Sequence, residues 1–431
     1  MRQVFYYWLF AWIVVIAPIA QKAHSASLAQ QPFPELSRLV KEGFLPNYHV
    51  VVVDSEGQLT TQAESYEGGV VSVDAIKTTS TVALLSLSKP ITNLLALRLV
   101  TLGYLALDEP VSKYLPKFED PRMQSTDQAS SDALRAISIR DLLIHTAGFA
   151  QNAELLGWGE VANTYAEQAI FGFDCLNHDA QETLAQITDR LAGLPLASEP
   201  GKKFAYSVAT DVLGRVLEVA AGESFDVLLR KHISIPLAMP GLTARITGKR
   251  LADIAQLYQP LIKTYPVPGA YQRYEPFTGI DGNFSGDDLE EVCISPGSGL
   301  FASMNDMVVF IEFLRNDLVL KNGEPFLSES LGEQVFEHAL DASFGNRPLR
   351  RSLAYAGKDG ISIASLAIRP KNGLGLALEN EHDFYYWSGF SGSGIWIDRS
   401  NNTAGVLLTQ LYPSDQFLIP KLVGKVRASL K

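Results

Sequence analysis

The stretch "LLSLSKPITNLLALRLVTLG", Leu84 to Gly103, decides how this chain is read. Its later part has apolar residues at helical spacing, with Pro90 suited to a first turn and Gly103 to an end. Its earlier part sets Ser86 three residues before Lys89. Residues three apart on a helix share a face and neighbours do not. Ser86 rather than Ser88 can therefore meet the amine. At a helix N-terminus the positive end of the macrodipole also favours a developing alkoxide. A serine hydroxyl is a poor nucleophile until a base takes its proton, and a desolvated lysine can be that base. The rival reading is a surface lysine at a helix start. An S-x-x-K pattern alone does not separate the two.

The surroundings are those of an ordinary globular protein. The chain has 431 residues, 47% hydrophobic and 19% charged, with a formal net charge of −11 and no long run of one sign. A nucleic-acid surface would be basic and clustered, so nucleic acid is excluded as a partner. The first residues stand apart. One early cation, Arg2, precedes an apolar run from Val4 to Ala20, and small residues follow at Ala23, Ser25, Ala26 and Ser27. This is the layout of a signal peptide over about residues 1–26, cut between Ser25 and Ala29. It implies a periplasmic or secreted protein with no stable membrane insertion once cleaved. The alternative is an uncleaved anchor, for which the run is short and broken by Pro18. Cys175 and Cys293 are the only cysteines, too few for a disulfide scaffold, and whether they pair stays open.

Residues 33–431 read as a single catalytic domain, with no repeat or low-complexity linker. Its ends are strand-rich. "HVVVVDSEGQLTT" from His49 alternates into a turn at Asp54 to Gly57, and Gly394 to Gln410 reads as strand, turn and strand. The middle, roughly residues 86–280, is mostly helical. "SVATDVLGRVLEVAAGES" closes at Gly222, and "MNDMVVFIEFLRND" starts with Ser303 or Asn305 as its cap. The predicted fold is α/β (α+β): an antiparallel sheet built from both chain ends, flanked by helices, with a helical region inserted between them.

The common hydrolase and nucleotide signatures are missing. There is no G-x-S-x-G, no G-x-x-x-x-G-K-[ST], and no G-x-G-x-x-G opening a helix after a strand. The seven histidines are scattered rather than set at metal-ligand spacing. No metal and no organic cofactor is expected. Two further stretches join the serine–lysine pair. Tyr206 stands just ahead of a helix and could relay a proton, or be a core tyrosine with a satisfied hydroxyl. "YYWSGFSGSGIWID" sets Trp387, Gly389, Gly392 and Gly394 at a strand entrance. Glycines there permit close backbone approach by a ligand, or form a bulge.

Taken in this order, these stretches resemble the serine β-lactamase and penicillin-binding-protein superfamily. The likeness is strongest to the class C-like branch, which includes β-lactamase-fold carboxylesterases and D-Ala-D-Ala carboxypeptidases, and it covers roughly residues 45 to 412. "RLVTLGYLALDEPVSKYLP", the H-T-A-G of His145 to Gly148, the stretch around Tyr206 and "PGSGLFASMNDMVVF" carry it beside the S-x-x-K. The resemblance implies that Ser86 is the acylated nucleophile, Lys89 its activating partner and Tyr206 the general base and acid. It implies that Trp387, Ser388 and Gly389 form the third motif, with the backbone N–H groups of Ser86 and Phe390 as the oxyanion hole. His145 is implied to be structural.

Two departures bear on substrate. The family's second motif usually ends in asparagine, and here that position is Val208. Its third motif usually opens with lysine or histidine, and here that place is Trp387, which has an aromatic face and one N–H donor but no charge. Both favour neutral acyl esters over anionic β-lactams. Arg350 or Arg351 could restore a cation. The expectation is an exported serine hydrolase acting on a small-molecule ester, amide or β-lactam through an acyl-enzyme, with an esterase first. A β-lactamase or D-Ala-D-Ala carboxypeptidase is the alternative. A silent relative that binds cell-wall peptide is the third reading, opposed by the intact Ser86, Lys89 and Tyr206.

Overall fold

The run Asn47–Val53 forms strand β1, and all of it is buried. Strand side chains alternate between faces. Tyr48, Val50 and Val52 enter one apolar cluster, while Val51 and Val53 enter the main core. The sheet is therefore covered on both faces here, and the valines make a continuous apolar run rather than an amphipathic alternation. The turn after it is the expected hairpin. Asp54 N–H donates to the Gln58 carbonyl at 3.0 Å, and the Asp54 carboxylate accepts the N–H groups of Glu56 and Gln58.

A computed structural model describes residues 33–67, 73–122, 134–150, 160–168, 170, 182–246, 254–260, 274–276, 294–336, 371–372, 377–379 and 384–412. The signal-like stretch, Cys175, Cys293, Arg350 and Arg351 lie outside these residues. In chain order, α1 (Pro34–Lys41) precedes β1 and β2 (Leu59–Ser65). Short β3 (Val82–Ala83) and a 3-10 turn, Leu85–Leu87, lead into α2 (Ser88–Thr101). The middle holds α3 (Ile139–Leu143), α4 (Glu160–Glu167), α5 (Leu184–Leu191), α6 (Ala209–Ala221), α7 (Phe225–Leu229) and α8 (Ile235–Leu237). It also holds the paired β4 (Tyr258–Pro260) and β5 (Tyr274–Pro276). Then come β6 (Phe301–Ala302), α9 (Met304–Arg315) and α10 (Glu329–Phe336). Last are β7 (Lys371–Asn372), β8 (Ala377–Glu379), β9 (Phe384–Ser388), β10 (Gly394–Asp398) and β11 (Thr403–Leu408).

The main sheet is antiparallel, in the order β2-β1-β11-β10-β9-β8-β7. The first strand pairs directly with the last, His49 opposite Leu408 and Val53 opposite Ala404. The sheet is thus assembled from both chain ends, with the helices inserted between them. On its inner face the core joins Ile395, Ile397, Val406 and Leu408 to α2, α6 and α9. On its outer face α1 covers Tyr48, Val50, Trp396 and Leu407.

The helix signals in the sequence hold. The N-cap of α9 is Ser303, whose hydroxyl accepts from Asp306 N–H in a capping box. Gly222 ends α6 in the left-handed region. Helix α2 is buried almost all round, from Ser88 to Leu97 and at Leu99. Such a helix runs through a core rather than along a surface, so any charge on it is there against the hydrophobic effect.

Candidate active site

Lys89 is such a charge. It lies in the first turn of α2 and is 2% exposed. Its ammonium donates to the Gly297 carbonyl at 3.0 Å and stands 4.7 Å from the centroid of the Tyr206 ring. The surface-lysine reading is thereby removed. Ser86 does not sit inside the regular helix. It occupies the 3-10 turn just before α2, half-buried between the buried Leu85 and Leu87. Leu85 has φ of +47°. A left-handed conformation in a branched apolar residue carries strain of order 1–3 kcal/mol, and such strain gathers at functional turns. Ser88 is fully buried, and its hydroxyl accepts the Leu300 N–H at 3.1 Å. Of the two serines, Ser86 is the more exposed.

Tyr206 is brought in by the loop His145 to Gly148. The His145 carbonyl accepts the Ala205 N–H, Thr146 accepts from Gly201, and Gly148 accepts from Ala197, at 2.7 to 2.8 Å. Gly148 fits because a Cβ there would lie 2.1 Å from the Ser198 carbonyl oxygen. The segment leading to Tyr206 is thus stitched to this loop by backbone bonds. His145 itself is buried, with φ of +57° and its ring 4.9 Å from the Tyr206 ring. Burial, helped by the Lys89 charge, pushes its pKa down to about 3. It packs as a neutral ring, in line with a structural role. Val208 is buried in the main core and offers no polar side-chain atom to Lys89.

Trp387, on β9, lies opposite Ile395 of β10 and is half-buried. Its indole N–H donates to the Ser86 carbonyl at 2.8 Å, and its ring lies 6.2 Å from that of Tyr206. The donor that the sequence offered to substrate is therefore engaged in holding the serine turn. Gly389 makes the approach possible. A Cβ there would lie 2.5 Å from the Leu84 carbonyl oxygen and 3.5 Å from the Leu87 nitrogen. The exit of β9 rests directly on the backbone of residues 84–87. Phe390 follows, half-buried, its ring edge-on to Tyr412 at 5.4 Å in a small apolar cluster with Leu85.

Sequence reasoning missed the support behind Lys89. Asp211, in the first turn of α6, accepts the Ser295 hydroxyl at 2.6 Å and the Gly297 N–H at 3.0 Å. Burial raises its pKa, against the lowering effects of the Lys89 charge and these bonds. In the sequence it reads as an ordinary first-turn acid complementing a helix dipole. The available signal was slight: Gly214, three residues on and therefore on the same face, leaves that side of α6 without a side chain. Among the described residues no cluster of His, Cys, Asp or Glu could hold a metal ion.

A strained serine turn before a core helix, a buried lysine three residues on, and a tyrosine and strand β9 closing around them define a serine hydrolase of β-lactamase fold. The family model described as Beta-lactamase matches residues 48–423, and the chain belongs to that family. It is similar to Esterase EstB of Burkholderia gladioli, at 38% identity over 337 residues and 76% of each chain. Among solved structures, EstCE1, a hydrolase with promiscuous acyltransferase activity, matches with TM-score 0.69 at 20% identity, over 93% of this chain and 100% of that one. A LovD6 mutant of simvastatin synthase from Aspergillus terreus matches with TM-score 0.69 at 20% identity, over 94% and 95%. These two likenesses bear on the fold. The family and the first relative make this chain a serine hydrolase that works through an acyl-enzyme.

Proposed function

We propose that the protein is a carboxylesterase for neutral esters, with Ser86 as nucleophile and Lys89 and Tyr206 as its proton-handling partners. The Ser86 oxygen attacks the ester carbonyl, and its proton passes to whichever of Lys89 and Tyr206 lacks one, the amine as free base or the phenol as phenolate. Oxyanion charge then gathers against the backbone N–H groups of Ser86 and Phe390. Collapse expels the alcohol, which takes the proton back, and water releases the acid by the same steps. Another alcohol in place of water would give acyl transfer.

The observation that carries the choice of substrate is Trp387. Its N–H is spent on the Ser86 carbonyl, so the third-motif position presents an aromatic face. A substrate carboxylate desolvated there gains no partner from it, which is costly. A neutral ester avoids that cost and gains the aromatic contact. The similarity to Esterase EstB points the same way. Among the described residues no helix is long and apolar enough to cross a membrane. The signal-like layout of the first 26 residues is what supports an exported enzyme.

The test assays purified protein in parallel on short and long p-nitrophenyl esters, a chromogenic cephalosporin and a D-Ala-D-Ala peptide. Ester turnover should dominate. Ser86→Ala should remove it, by on the order of a million-fold in kcat, and a fluorophosphonate should label Ser86. Cephalosporin turnover equal to that of a short ester would reassign the enzyme as a β-lactamase. Labelling elsewhere, with activity surviving in Ser86→Ala, would overturn the site.

A further inference from the structure

The segment Ser295–Pro296–Gly297 runs as a strap between two core helices. On the α2 side, the Pro296 carbonyl accepts the Thr92 hydroxyl at 2.7 Å and the Gly297 carbonyl accepts the Lys89 ammonium at 3.0 Å. On the α6 side, the Ser295 hydroxyl and the Gly297 N–H both go to one oxygen of Asp211. The strap has little room to slip. A Cβ on Gly297 would lie 2.7 Å from the other Asp211 oxygen, and one on Gly214 would lie 2.2 Å from the Pro296 ring.

Asp211 is 4% exposed. A buried carboxylate is expensive unless charge and hydrogen bonds compensate it. Among the described residues no cation bonds it directly, and the charge that acts on it is that of Lys89. Acid and amine are joined through a single residue, Gly297, whose N–H serves one and whose carbonyl serves the other. Val208, the position where relatives carry an amide, is packed in the apolar core. The polar support for the lysine therefore comes from one helical turn further along α6.

We propose that Asp211 is a positioning residue of the acyl-transfer reaction: through Ser295 and Gly297 it fixes the carbonyl that holds Lys89, and so sets the amine beside Tyr206. The proposal rests on the assignment of Ser86 and Lys89 above. Asp211 touches no reacting atom. Its loss lets the strap relax and the ammonium leave its place, so chemistry slows while substrate binding stays.

The test uses the full-length enzyme and measures kcat and KM on a p-nitrophenyl ester, together with the rate at which a fluorophosphonate labels Ser86. Asp211→Asn keeps the shape but loses the charge: its one oxygen can still take both donors, but a neutral amide accepts them more weakly than a carboxylate does, and an NH2 group stands where the second carboxylate oxygen was. It should lower kcat and the labelling rate by about thirty- to a hundred-fold, within the range of acid–base effects, with KM changed less than about threefold. Ser295→Ala removes one of the two bonds and should cost roughly three- to tenfold. In a Lys89→Met background, Asp211→Asn should add nothing, since residues acting on one step do not multiply.

Circular dichroism and melting establish that each variant is folded. If Asp211→Asn does not fold, Ser295→Ala decides alone. A folded Asp211→Asn or Ser295→Ala at wild-type kcat and labelling rate overturns the proposal, as does a loss that multiplies with that of Lys89→Met. If Lys89→Met itself labels at the wild-type rate, the assignment of the lysine fails instead.

Discussion

Two polar clusters lie on opposite faces of one sheet, one part-buried and one buried, and they are built differently. On the outer face Ser37, Tyr48, Gln62 and Glu64 bond to one another. Gln62 donates to Ser37 at 2.7 Å and to Glu64 at 2.8 Å, and Ser37 donates to Glu64 at 2.5 Å. These groups come from α1 and from two strands whose register sets Tyr48 opposite Glu64. The bonds form a closed set. On the inner face Lys89, Gly297, Ser295 and Asp211 come from three segments, with bonded partners 84 to 208 residues apart in the chain. That cluster holds its amine between a carbonyl and an aromatic ring. A local network of this kind mainly stabilises a fold. A buried acid and amine linked only through Gly297 are weak support for stability, and their place beside a strained serine turn points to function instead.

Substitutions can break this contrast, and the largest effects belong to the inner cluster. Lys89→Met and Tyr206→Phe should each lower kcat by about a hundred- to ten-thousand-fold. The double variant should lose little more than either single one, because the two serve the same proton transfer. Steady-state kinetics on a p-nitrophenyl ester measures this directly. Independent, multiplying losses would mean that the proton path does not run through both residues.

Gly389→Ala comes next. The added methyl meets the Leu84 carbonyl oxygen at 2.5 Å, a backbone atom that cannot swing aside. Overpacking of this kind costs about 1–3 kcal/mol. It would also part β9 from the serine turn and strain the Trp387–Ser86 bond. Lower stability in urea melts is expected, with a fall in kcat larger than that of an equally destabilised variant on the outer face. If kcat held while stability fell, the contact would matter only to the fold.

Much of this was legible in sequence, for identifiable reasons. The end strands announced themselves through β-branched runs and Asx-rich turns, and α2, α6 and α9 through apolar spacing with caps. All of those are local signals. The spacing of Ser86 and Lys89 separated the two serines because helix geometry is local as well, although the serine stands in a 3-10 turn rather than in the helix. The engagement of the Trp387 N–H with Ser86 was not legible, since it joins residues 301 apart. Nor was the role of Asp211, whose partners lie 84 and 86 residues away. Long-range polar contacts leave no periodicity in the sequence.

A pH experiment sharpens the comparison through His145. Its folded pKa of about 3 lies below the roughly 6.5 of an unfolded histidine. The unfolded chain therefore takes up a proton below pH about 6.5 while the folded one does not. Stability is fully present above that value and declines as pH falls towards the folded pKa. At pH 5 the loss from this one group is about 2 kcal/mol. Burial lowers the pKa of His49 and of His232 as well, so they add with the same sign. Asparagine adopts positive φ readily, which makes His145→Asn the suitable variant. Urea melts at pH 7.5 and 5 should show the wild type losing about 2 kcal/mol more than the variant. Equal losses would mean that His145 is not held neutral.

The smallest effect belongs to the outer cluster and gives the contrast its control. The Tyr48 hydroxyl accepts from Gln62 at 2.5 Å and lies 3.3 Å from the Ser37 hydroxyl. In Tyr48→Phe both contacts go. Gln62 keeps its bonds to Ser37 and Glu64, and Ser37 keeps its bond to Glu64, so no donor in the set is left without an acceptor. The ring stays where it is, packed under α1 with Val50 and Trp396. The expected cost is then that of an ordinary hydrogen bond, about 1 kcal/mol, seen as a lower urea midpoint at unchanged slope. The reacting groups lie across the sheet and share no partner with this cluster, so kcat and KM should not move. A fall in kcat in the folded variant would show that the outer network helps to place β1 against the catalytic face, and the two clusters would have to be treated as one.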